Sequence, residues 1–363
     1  MASTYLSRTG IGSSNNQKKW TFSVWLKKCL NGSEQRVLTS SDNSSYDDNI
    51  RFESSDQLRI KFNNGTVLLT NRLFRDNNAY YHIVVKVDTD QASANDRIVL
   101  YINGVDERTV GGYATSTMPN QGTTGYINYN AFYIGVTNPT ANSNHFNGIM
   151  SHVHFTDGYA YTPTSFGETD STTGEWKIKT SPSVSYGTTG FWILKDGNSV
   201  TDSSPNSNTF TVSAGTLTKT EDNPSNVFNV WNMNARLNST LYIDYGATQA
   251  YSDNANWRSL TGTLGASSGK FYYEAMPVSH DYSVHGWVSD NLINPTTDGG
   301  FAFDQDYSYG YKTYSGTVVY RESSGGGSTS YGVNVNPNDV LGCAIDIDNS
   351  KAYWSVNGVW LNS

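Results

Sequence analysis

The stretch Asn338–Ser363, NDVLGCAIDIDNSKAYWSVNGVWLNS, decides the fold of the C-terminal part of this chain. Apolar residues alternate with small or polar ones on both sides of Asp348-Asn349-Ser350, which predicts two antiparallel strands joined by a turn. Asn357-Gly358 is the dipeptide best suited to a type I′ hairpin turn, so a third strand is expected after it. Closely spaced short strands of this kind are typical of an all-β domain.

Upstream segments complete the same pattern. In GKFYYEA (269–275), Phe271 and Tyr273 alternate with Tyr272 and Glu274, as in an amphipathic strand. Together with HGWV (285–288), 310–320 and 340–355, this segment resembles the SPRY family. The resemblance implies a β-sandwich over residues 236–363 that binds partners through its loops and catalyses no reaction. Cys343 falls on the apolar face of its strand and is interpreted as a core residue.

The C-terminal sandwich is expected to be incomplete. SPRY sandwiches continue with further strands beyond the segment that ends at Ser363. The resemblance therefore predicts that the natural chain continues or that a neighbouring chain supplies a strand. Without such a strand, we expect Trp354, Val356 and Trp360 to be partly uncovered.

Composition limits the classes of function. A chain of 363 residues is long enough for two domains. Its net charge is −8, and its longest basic runs are Lys18-Lys19 and Lys27-Lys28, so no basic stripe for nucleic acid is present. No stretch approaches the roughly 20 consecutive apolar residues of a membrane span. The N-terminus lacks the apolar region of a signal peptide, which predicts synthesis in a cytosol. Cys29 and Cys343 lie far apart in sequence, and no disulfide is expected between them.

The N-terminal part also shows strand periodicity. From Trp20 onward the chain alternates, with Trp20, Phe22, Val24 and Leu26 on one face. Further strands are predicted at 49–53, 57–62, 66–69, 80–87, 97–102, 131–134 and 149–155. Asn63-Asn64-Gly65 and Asn103-Gly104 are among the turn clusters between them. Many short strands without a helical segment indicate a sandwich or a barrel.

The order of these segments resembles a concanavalin A-like, laminin-G/pentraxin-type jelly roll over residues 1–170. The segments that carry the resemblance are WTFSVWLK (20–27), YYHIVVKVDTD (80–90), RIVLYINGV (97–105), AFYIGV (131–136) and FNGIMSHVHFTDGYAYTPTSFGE (146–168). This fold hosts lectins, glucanases and structural modules. The carboxylate pattern of its glucanases, roughly E-x-D-x-x-E, does not occur in the chain. We therefore predict no catalytic residues and no enzyme activity.

Two possible metal sites arise in this domain. The loop Ser41–Asp48 offers oxygen ligands for calcium from Asp42, Asn43, Asp47 and Asp48. A solvated loop whose Asp and Asn side chains cap turns explains the same residues, and we favour this second interpretation. No other cofactor is expected. His152 and His154 alternate on a predicted strand, where an outward face is favoured over a metal site because no further ligands are evident nearby.

Residues 171–235 are rich in Gly, Ser, Thr and Asn, with short strands predicted only at 191–194 and 209–212. They also contain six tryptophan and phenylalanine residues, so we expect an ordered, strand-poor connector that packs across both sandwiches. The run D-S-S-P-N-S-N-T-F-T-V…D-N-P-S-N-V-F (202–228) resembles a connector of tailed-phage structural proteins, in which a laminin-G-type domain precedes a SPRY domain. YLSRT (5–9), TPTSFGETD (162–170) and YGTTGF (186–191) fit the same pattern. Pro205, where Gly is usual, departs from it.

Candidate ligand-binding residues lie in the second sandwich. Tyr307, Tyr309, Tyr311 and Tyr314 belong to a Tyr-, Ser- and Gly-rich stretch, a composition used by adaptable recognition surfaces. Tyrosine rings also stack on sugars. A Tyr-rich pair of strands is the alternative explanation. A second candidate group is Asp253, Asn256 and Trp257.

The sequence as a whole favours a bacteriophage virion protein, a fibre or appendage that docks in the particle and binds host-surface glycan. The expected partners are other virion proteins and further copies of the chain, a trimer if it forms a fibre. The expected location is the exterior of the virion, after synthesis in the bacterial cytoplasm. The alternatives are a capsid decoration or assembly protein without a receptor role and, less favoured, a carbohydrate-degrading depolymerase.

Overall fold

The fold was analysed in a computed structural model, which describes residues 3–11, 16–42, 45–235, 241–252, 257–279, 282–289, 307–322 and 325–362. Antiparallel β-sheets make up nearly all of its regular structure, which confirms the predicted all-β class. The described helices are single turns, at Ala94–Asp96, Glu107–Val110, Pro163–Ser165 and Met233–Ala235. None of the helices in these ranges is long and apolar enough to cross a membrane.

The described chain forms two compact units. The first extends to Asn234 and includes Ile243–Ala250, and the second contains the described residues from Tyr251 onward. The strands up to Asn234 are β1 Tyr5–Thr9, β2 Lys19–Lys28, β3 Gln35–Ser41, β4 Asp47–Phe52, β5 Gln57–Phe62, β6 Gly65–Leu73, β7 Tyr81–Asp88, β8 Ile98–Ile102, β9 Val105–Asp106, β10 Tyr113–Ser116, β11 Ala131–Ile134, β12 Gly148–Asp157, β13 Gly167–Thr169, β14 Trp176–Ile178, β15 Phe191–Ile193 and β16 Thr211–Ala214. The remaining strands are β17 Leu241–Asp244, β18 Gln249–Ser252, β19 Lys270–Ala275, β20 Val284–Val288, β21 Ser308–Lys312, β22 Thr317–Glu322, β23 Gly325–Ser330, β24 Leu341–Asp346, β25 Lys351–Val356 and β26 Val359–Trp360.

Two large sheets build the first unit. One has eight strands in the order β10-β6-β5-β4-β3-β11-β1-β16, and the other has six in the order β15-β12-β2-β7-β8-β9. The alternating residues of β2 and β7 are buried in one core with those of β4 and β5, which face them from the larger sheet. Since one face of each strand supplies this core, the predicted alternation beginning at Trp20 is confirmed.

The stretch predicted as a connector is structured differently from the prediction. Residues 171–234 cluster with the first unit, where β15 joins the six-stranded sheet beside β12 and β16 joins the eight-stranded sheet beside β1. Phe191 and Phe210 are buried in the core of that unit. These two phenylalanines therefore complete the core of the first sandwich. The strands predicted at 191–194 and 209–212 overlap β15 and β16, but strands this short do not indicate which sheet they join.

The outer face of the six-stranded sheet is also covered. Trp176, on β14, donates from Nε1 to Nδ1 of His82 at 2.9 Å, and His82 lies 2.9 Å from Oγ of Ser23 through Nε2. Because the indole can only donate, the imidazole is neutral and carries its proton on Nε2. Trp25 stacks on the same imidazole with 4.6 Å between ring centroids. Burial lowers the pKa of His82 to about 3.

A buried ion pair fixes another part of this cover. Nζ of Lys27, on β2, lies 2.7 Å from a carboxylate oxygen of Asp222, and both side chains are almost completely buried. Tyr80 donates its hydroxyl proton to the backbone carbonyl of Asp222 at 2.9 Å. Residues near Asp222 are thereby held against the outer face of the sheet. Two buried charges are tolerated here because each charged group is the ion-pair partner of the other.

The second unit contains two four-stranded sheets, β19-β24-β25-β26 and β20-β21-β22-β23. Its core includes Tyr311, Leu341, Cys343 and Trp354. Cys343 is fully buried, and burial raises its pKa to about 12, in agreement with the predicted core role. Of the residues expected to be partly uncovered, Trp354 and Val356 are buried, whereas Trp360 is half exposed.

The predicted hairpin at Asn357-Gly358 is confirmed. Both residues have the positive φ that a type I′ turn requires, 49° and 78°, and they join β25 to β26. Asn103-Gly104 has the same signature, with φ of 49° and 81°, between β8 and β9. A side chain at position 104 would also collide with Trp176, because a Cβ there would lie 2.6 Å from its ring. Position 104 therefore requires glycine for two reasons, its positive φ and its close approach to Trp176.

Replacing Lys27 should destabilise the first unit strongly. In Lys27→Met the carboxylate of Asp222 stays buried without its cation, which should lower the free energy of unfolding by about 3–5 kcal/mol. Urea unfolding measured by tryptophan fluorescence checks this expectation. Lys19→Met is the matched control, since the Lys19–Asp88 pair is exposed on its lysine side and should contribute less than about 1 kcal/mol. Equal losses in the two variants would contradict the assigned role of the buried pair.

Acidification should destabilise the fold through His82. The pKa of His82 is lowered in the folded state, so below about pH 6.5 the unfolded chain binds more protons and stability falls. This one group should contribute up to about 1.4 kcal/mol per pH unit between about pH 6 and pH 4. In His82→Gln that contribution is absent. The difference in unfolding free energy between the natural protein and the variant should therefore shrink as the pH is lowered. A difference that stays constant from about pH 7.5 to about pH 4.5 would rule out a buried neutral imidazole.

Candidate functional site

Tyr311 and Tyr309 lie on strand β21 and point toward the core side. Tyr311 is fully buried, and its hydroxyl donates to the backbone carbonyl of Val333. Tyr309 packs against the same core, and its hydroxyl donates to a carboxylate oxygen of Glu322 at 2.9 Å. A buried ring offers no face to a ligand, so the predicted ligand role of Tyr311 is corrected to a core role. Of the two explanations for the Tyr-rich stretch, that of strand residues fits Tyr309 and Tyr311.

Tyr307 and Tyr314 lie at opposite ends of β21. Tyr307 is exposed and precedes the strand, with a positive φ of 62°, whereas Tyr314 follows the strand in a turn. A five-residue strand separates them, so they lie roughly 17 Å apart. The four predicted tyrosines therefore do not form one site.

Three aromatic side chains do come together at the Tyr314 end, and we call them the aromatic cluster: Trp257, Tyr282 and Tyr314. Tyr282 and Tyr314 stack with 5.0 Å between centroids and 20° between planes. The ring of Trp257 lies 6.0 Å from that of Tyr314. Tyr282 is 71% exposed, Trp257 is 37% exposed and Tyr314 is half-buried, so ring surface remains open to solvent.

A hydrogen-bonded pair positions this cluster. The backbone N–H of Thr313 donates to the carbonyl of Ser283, and the N–H of Ser283 donates to Oγ1 of Thr313, both at 3.0 Å. Tyr282 immediately precedes Ser283 and Tyr314 immediately follows Thr313, so the same contact brings the two rings together. Thr313 itself is buried, which makes the pair rigid. The cluster is therefore held by main-chain contacts of the sheet.

Sequence reasoning identified Tyr314 and Trp257 but missed Tyr282. Tyr282 lies in a short segment whose sequence shows no aromatic run, and only the pairing of Ser283 with Thr313 places it beside Tyr314. Asp253 and Asn256, which were grouped with Trp257, lie outside the described residues.

The calcium candidates are held by other groups. The carboxylate of Asp42 accepts from the N–H groups of Ser45 and Tyr46, at 2.7 and 3.0 Å, as in a capped turn. Asp47 pairs with Arg36 and Lys61, each at 3.2 Å, and these cations lower its pKa against the effect of burial.

Asp48 is buried and accepts three backbone N–H groups, from Asn63, Asn64 and Tyr126, at 2.7–2.8 Å. Burial raises its pKa, and these donors oppose the shift. Asn43 lies outside the described residues. Across the part of the chain that the structure describes, no group of three or more His, Cys, Asp or Glu side chains is placed to hold a metal ion. The geometry therefore favours the turn-capping interpretation, and calcium binding stays a prediction.

His152 and His154 are both buried, in contrast to the predicted outward face. A β-bulge between Ser151 and His154 interrupts the pairing of β12 with β2, and His152 has a positive φ of 48°. His154 lies 2.9 Å from the hydroxyl of Tyr186 through Nδ1 and stacks on Trp192. Other segments of the same unit cover both histidines and explain this burial. The alternation of residues along the sequence could not show that such segments lie over the strand.

Comparison with known proteins adds only distant similarities. No protein-family model matches the chain. A Bacteroides ovatus protein described as carbohydrate-binding matches with 17% identity and a TM-score of 0.34, over 45% of this chain and 43% of that one. Domains LG4-5 of the mouse laminin α1 chain match with 9% identity and a TM-score of 0.32, over 99% of this chain and 74% of theirs. Domain 4 of a Geobacillus stearothermophilus arabinanase matches with 15% identity and a TM-score of 0.25, over 41% and 65% of the two chains. TM-scores of this size do not establish a shared fold, and each name describes the other protein.

Proposed function

We propose that this chain is a bacteriophage virion structural protein, a fibre or appendage on the exterior of the particle that binds a glycan of the host surface. The aromatic cluster of Trp257, Tyr282 and Tyr314 is the observation that carries glycan binding. Aromatic rings with one exposed face stack on the apolar faces of sugar rings, and tyrosine hydroxyls can hydrogen-bond their rims. A rigid pair of strands supports the cluster, so little conformational entropy is lost when a ligand binds.

The virion role rests on the sequence. The connector run within 202–228 and the segments around it resemble tailed-phage structural proteins along most of the chain. A Tyr- and Gly-rich composition with only 15% charged residues suits a protein that works outside a cell. The proposed partners are other virion proteins, host glycan and further copies of this chain, in a trimer if it forms a fibre. We propose action by binding and not by catalysis, because the paired carboxylates of the glucanases of such folds are missing from the sequence.

Removing one ring of the aromatic cluster should weaken glycan binding. Tyr282→Ala and Trp257→Ala each remove a stacking ring and should weaken binding by roughly tenfold or more, which corresponds to about 1.4 kcal/mol. The measurement is binding of the purified full chain to an array of bacterial surface glycans, followed by titration calorimetry with the best ligand. Tyr245→Ala is the matched control, because Tyr245 is 67% exposed but belongs to the first unit.

Three outcomes would change the proposal. Unaltered binding in the cluster variants would exclude the cluster as the site. An array and a cell-adsorption assay that both show no binding would exclude the receptor role and leave the capsid decoration role. Cleavage of a polysaccharide by the purified chain would instead indicate a depolymerase. The virion role itself is tested by imaging the intact particle, where density for this chain should be found on the exterior.

A further inference from the structure

An exposed aromatic surface lies on the second unit, on the face of the β19-β24-β25-β26 sheet that is turned away from the core. We call it the aromatic face and define it by Tyr272, Tyr353 and Trp360. These side chains are 51%, 41% and 48% exposed. Trp360 meets Tyr272 edge-on at 6.2 Å and Tyr353 edge-on at 6.4 Å between centroids, so the three rings form one continuous surface.

Strand register explains why the rings share this face. Tyr273, Cys343 and Trp354 are cross-strand partners and point into the core. Their neighbours in sequence therefore point outward, which places Tyr272, Ala344 and Tyr353 in one row across the sheet. The central strand offers only Ala344 and Gly342 on this side. The hydroxyl of Tyr272 reaches over Gly342, where an added Cβ would lie 2.5 Å from it.

Charges flank the aromatic row in an ordered way. On one side lies the row Lys270, Asp346 and Lys351, in which Lys270 pairs with Asp346 at 3.0 Å, leaving a net charge of +1. On the other side lies the row of Glu274, Gly342, Ser355 and Trp360, with a net charge of −1. Lys270 and Glu274 are four residues apart on β19, or roughly 13 Å, with Tyr272 midway between them.

This arrangement is complementary to itself. A second copy turned by 180° about an axis that lies along the aromatic row would face the first sheet to sheet. Its cationic row would then lie against the anionic row of the first copy, which includes Trp360, and Tyr272 and Tyr353 of the two copies would meet in the centre. Lys270 of each copy would lie opposite Glu274 of the other. We propose that the aromatic face is a two-fold symmetric contact between two copies of this chain.

Size predicts a weak contact. Stable interfaces bury about 1,200–2,000 Å² in total, and a face of four strands with two to six residues each, roughly 20 Å on a side, offers less than this. The dissociation constant should therefore be on the order of 100 µM, and the contact would act mainly where copies are concentrated in an assembly. A two-fold contact closes with two copies, so it differs from the trimer that a fibre would use. It is also independent of glycan binding, which was assigned to other residues.

Charge reversal offers a sharp test. Glu274→Lys brings a second ammonium group against Lys270 of the other copy, and Lys270→Glu brings a second carboxylate against Glu274, so each variant should repel itself. In sedimentation equilibrium of the full chain between about 10 µM and 1 mM, the dissociation constant should rise by roughly tenfold or more in each. In an equal mixture, a pair made of one Glu274→Lys chain and one Lys270→Glu chain has opposite charges at both symmetry-related contacts, because the ammonium groups at 270 and 274 of the first chain meet the carboxylates at 274 and 270 of the second. The mixture should therefore associate as the natural protein does.

Two controls complete the experiment. Lys312→Glu makes the same change of net charge as Lys270→Glu, but on β21, in the other sheet. It should leave association unchanged. Trp360→Ser removes the ring that contacts both Tyr272 and Tyr353, without changing charge, and should weaken association by at least about tenfold. Recovery on mixing requires that both charge variants are folded, and the result for Trp360→Ser does not depend on them.

The proposal would be overturned by a natural chain that stays monomeric at the highest concentration. It would equally be overturned by an equal effect of Lys312→Glu or by a mixture that remains dissociated. Loss of association with glycan binding retained would support this contact and the aromatic cluster as separate sites.

Discussion

Burial of the six-stranded sheet on both of its faces is the constraint on which the first unit depends. A strand such as β2 cannot leave its outer residues in water, because segments that follow in the sequence lie over them. Polar residues on that face must therefore find partners within the protein. Lys27 does so with Asp222, and His82 does so with Trp176 and Ser23. Each pair links the sheet to the stretch that follows residue 170, which makes that stretch part of the domain.

The second unit differs from the first in how its sheet faces are covered. Its core is a smaller cluster built around Tyr311 and Trp354, and the outer face of its β19-β24-β25-β26 sheet leaves large aromatic rings exposed. Covering exposed rings of this kind with a ligand or another protein is favourable, because it removes their apolar surface from water. The aromatic cluster and the aromatic face differ in what surrounds them. The cluster lies at the turn after β21, as loop-borne recognition sites do, whereas the face is flat and bordered by charges of both signs.

Local patterns predicted much of the strand content. The bounds of β5 and β11 match the predicted ranges 57–62 and 131–134, since both strands have regular alternation and end at turn residues. β3, Gln35–Ser41, was not predicted. A bulge between Arg36 and Leu38 places Val37 and Leu38 consecutively in the core, so the period of two is broken where it would have been recognised. The candidate tyrosines also show that a local pattern does not reveal which side chains come together. Tyr311 is in the core, and Tyr307 and Tyr314 lie at opposite ends of a strand.

The sequence by itself determined the all-β class, the positions of most strands and the turns at Asn103-Gly104 and Asn357-Gly358. These features follow from side-chain period and from backbone preference, which act between neighbouring residues. Only the tertiary structure decided which faces are covered, and with them the burial of His154, the coreward position of Tyr311 and the meeting of Tyr282 with Tyr314. Alternation tells which residues share a face. Whether that face meets solvent depends on segments distant in the sequence, which local pattern does not specify.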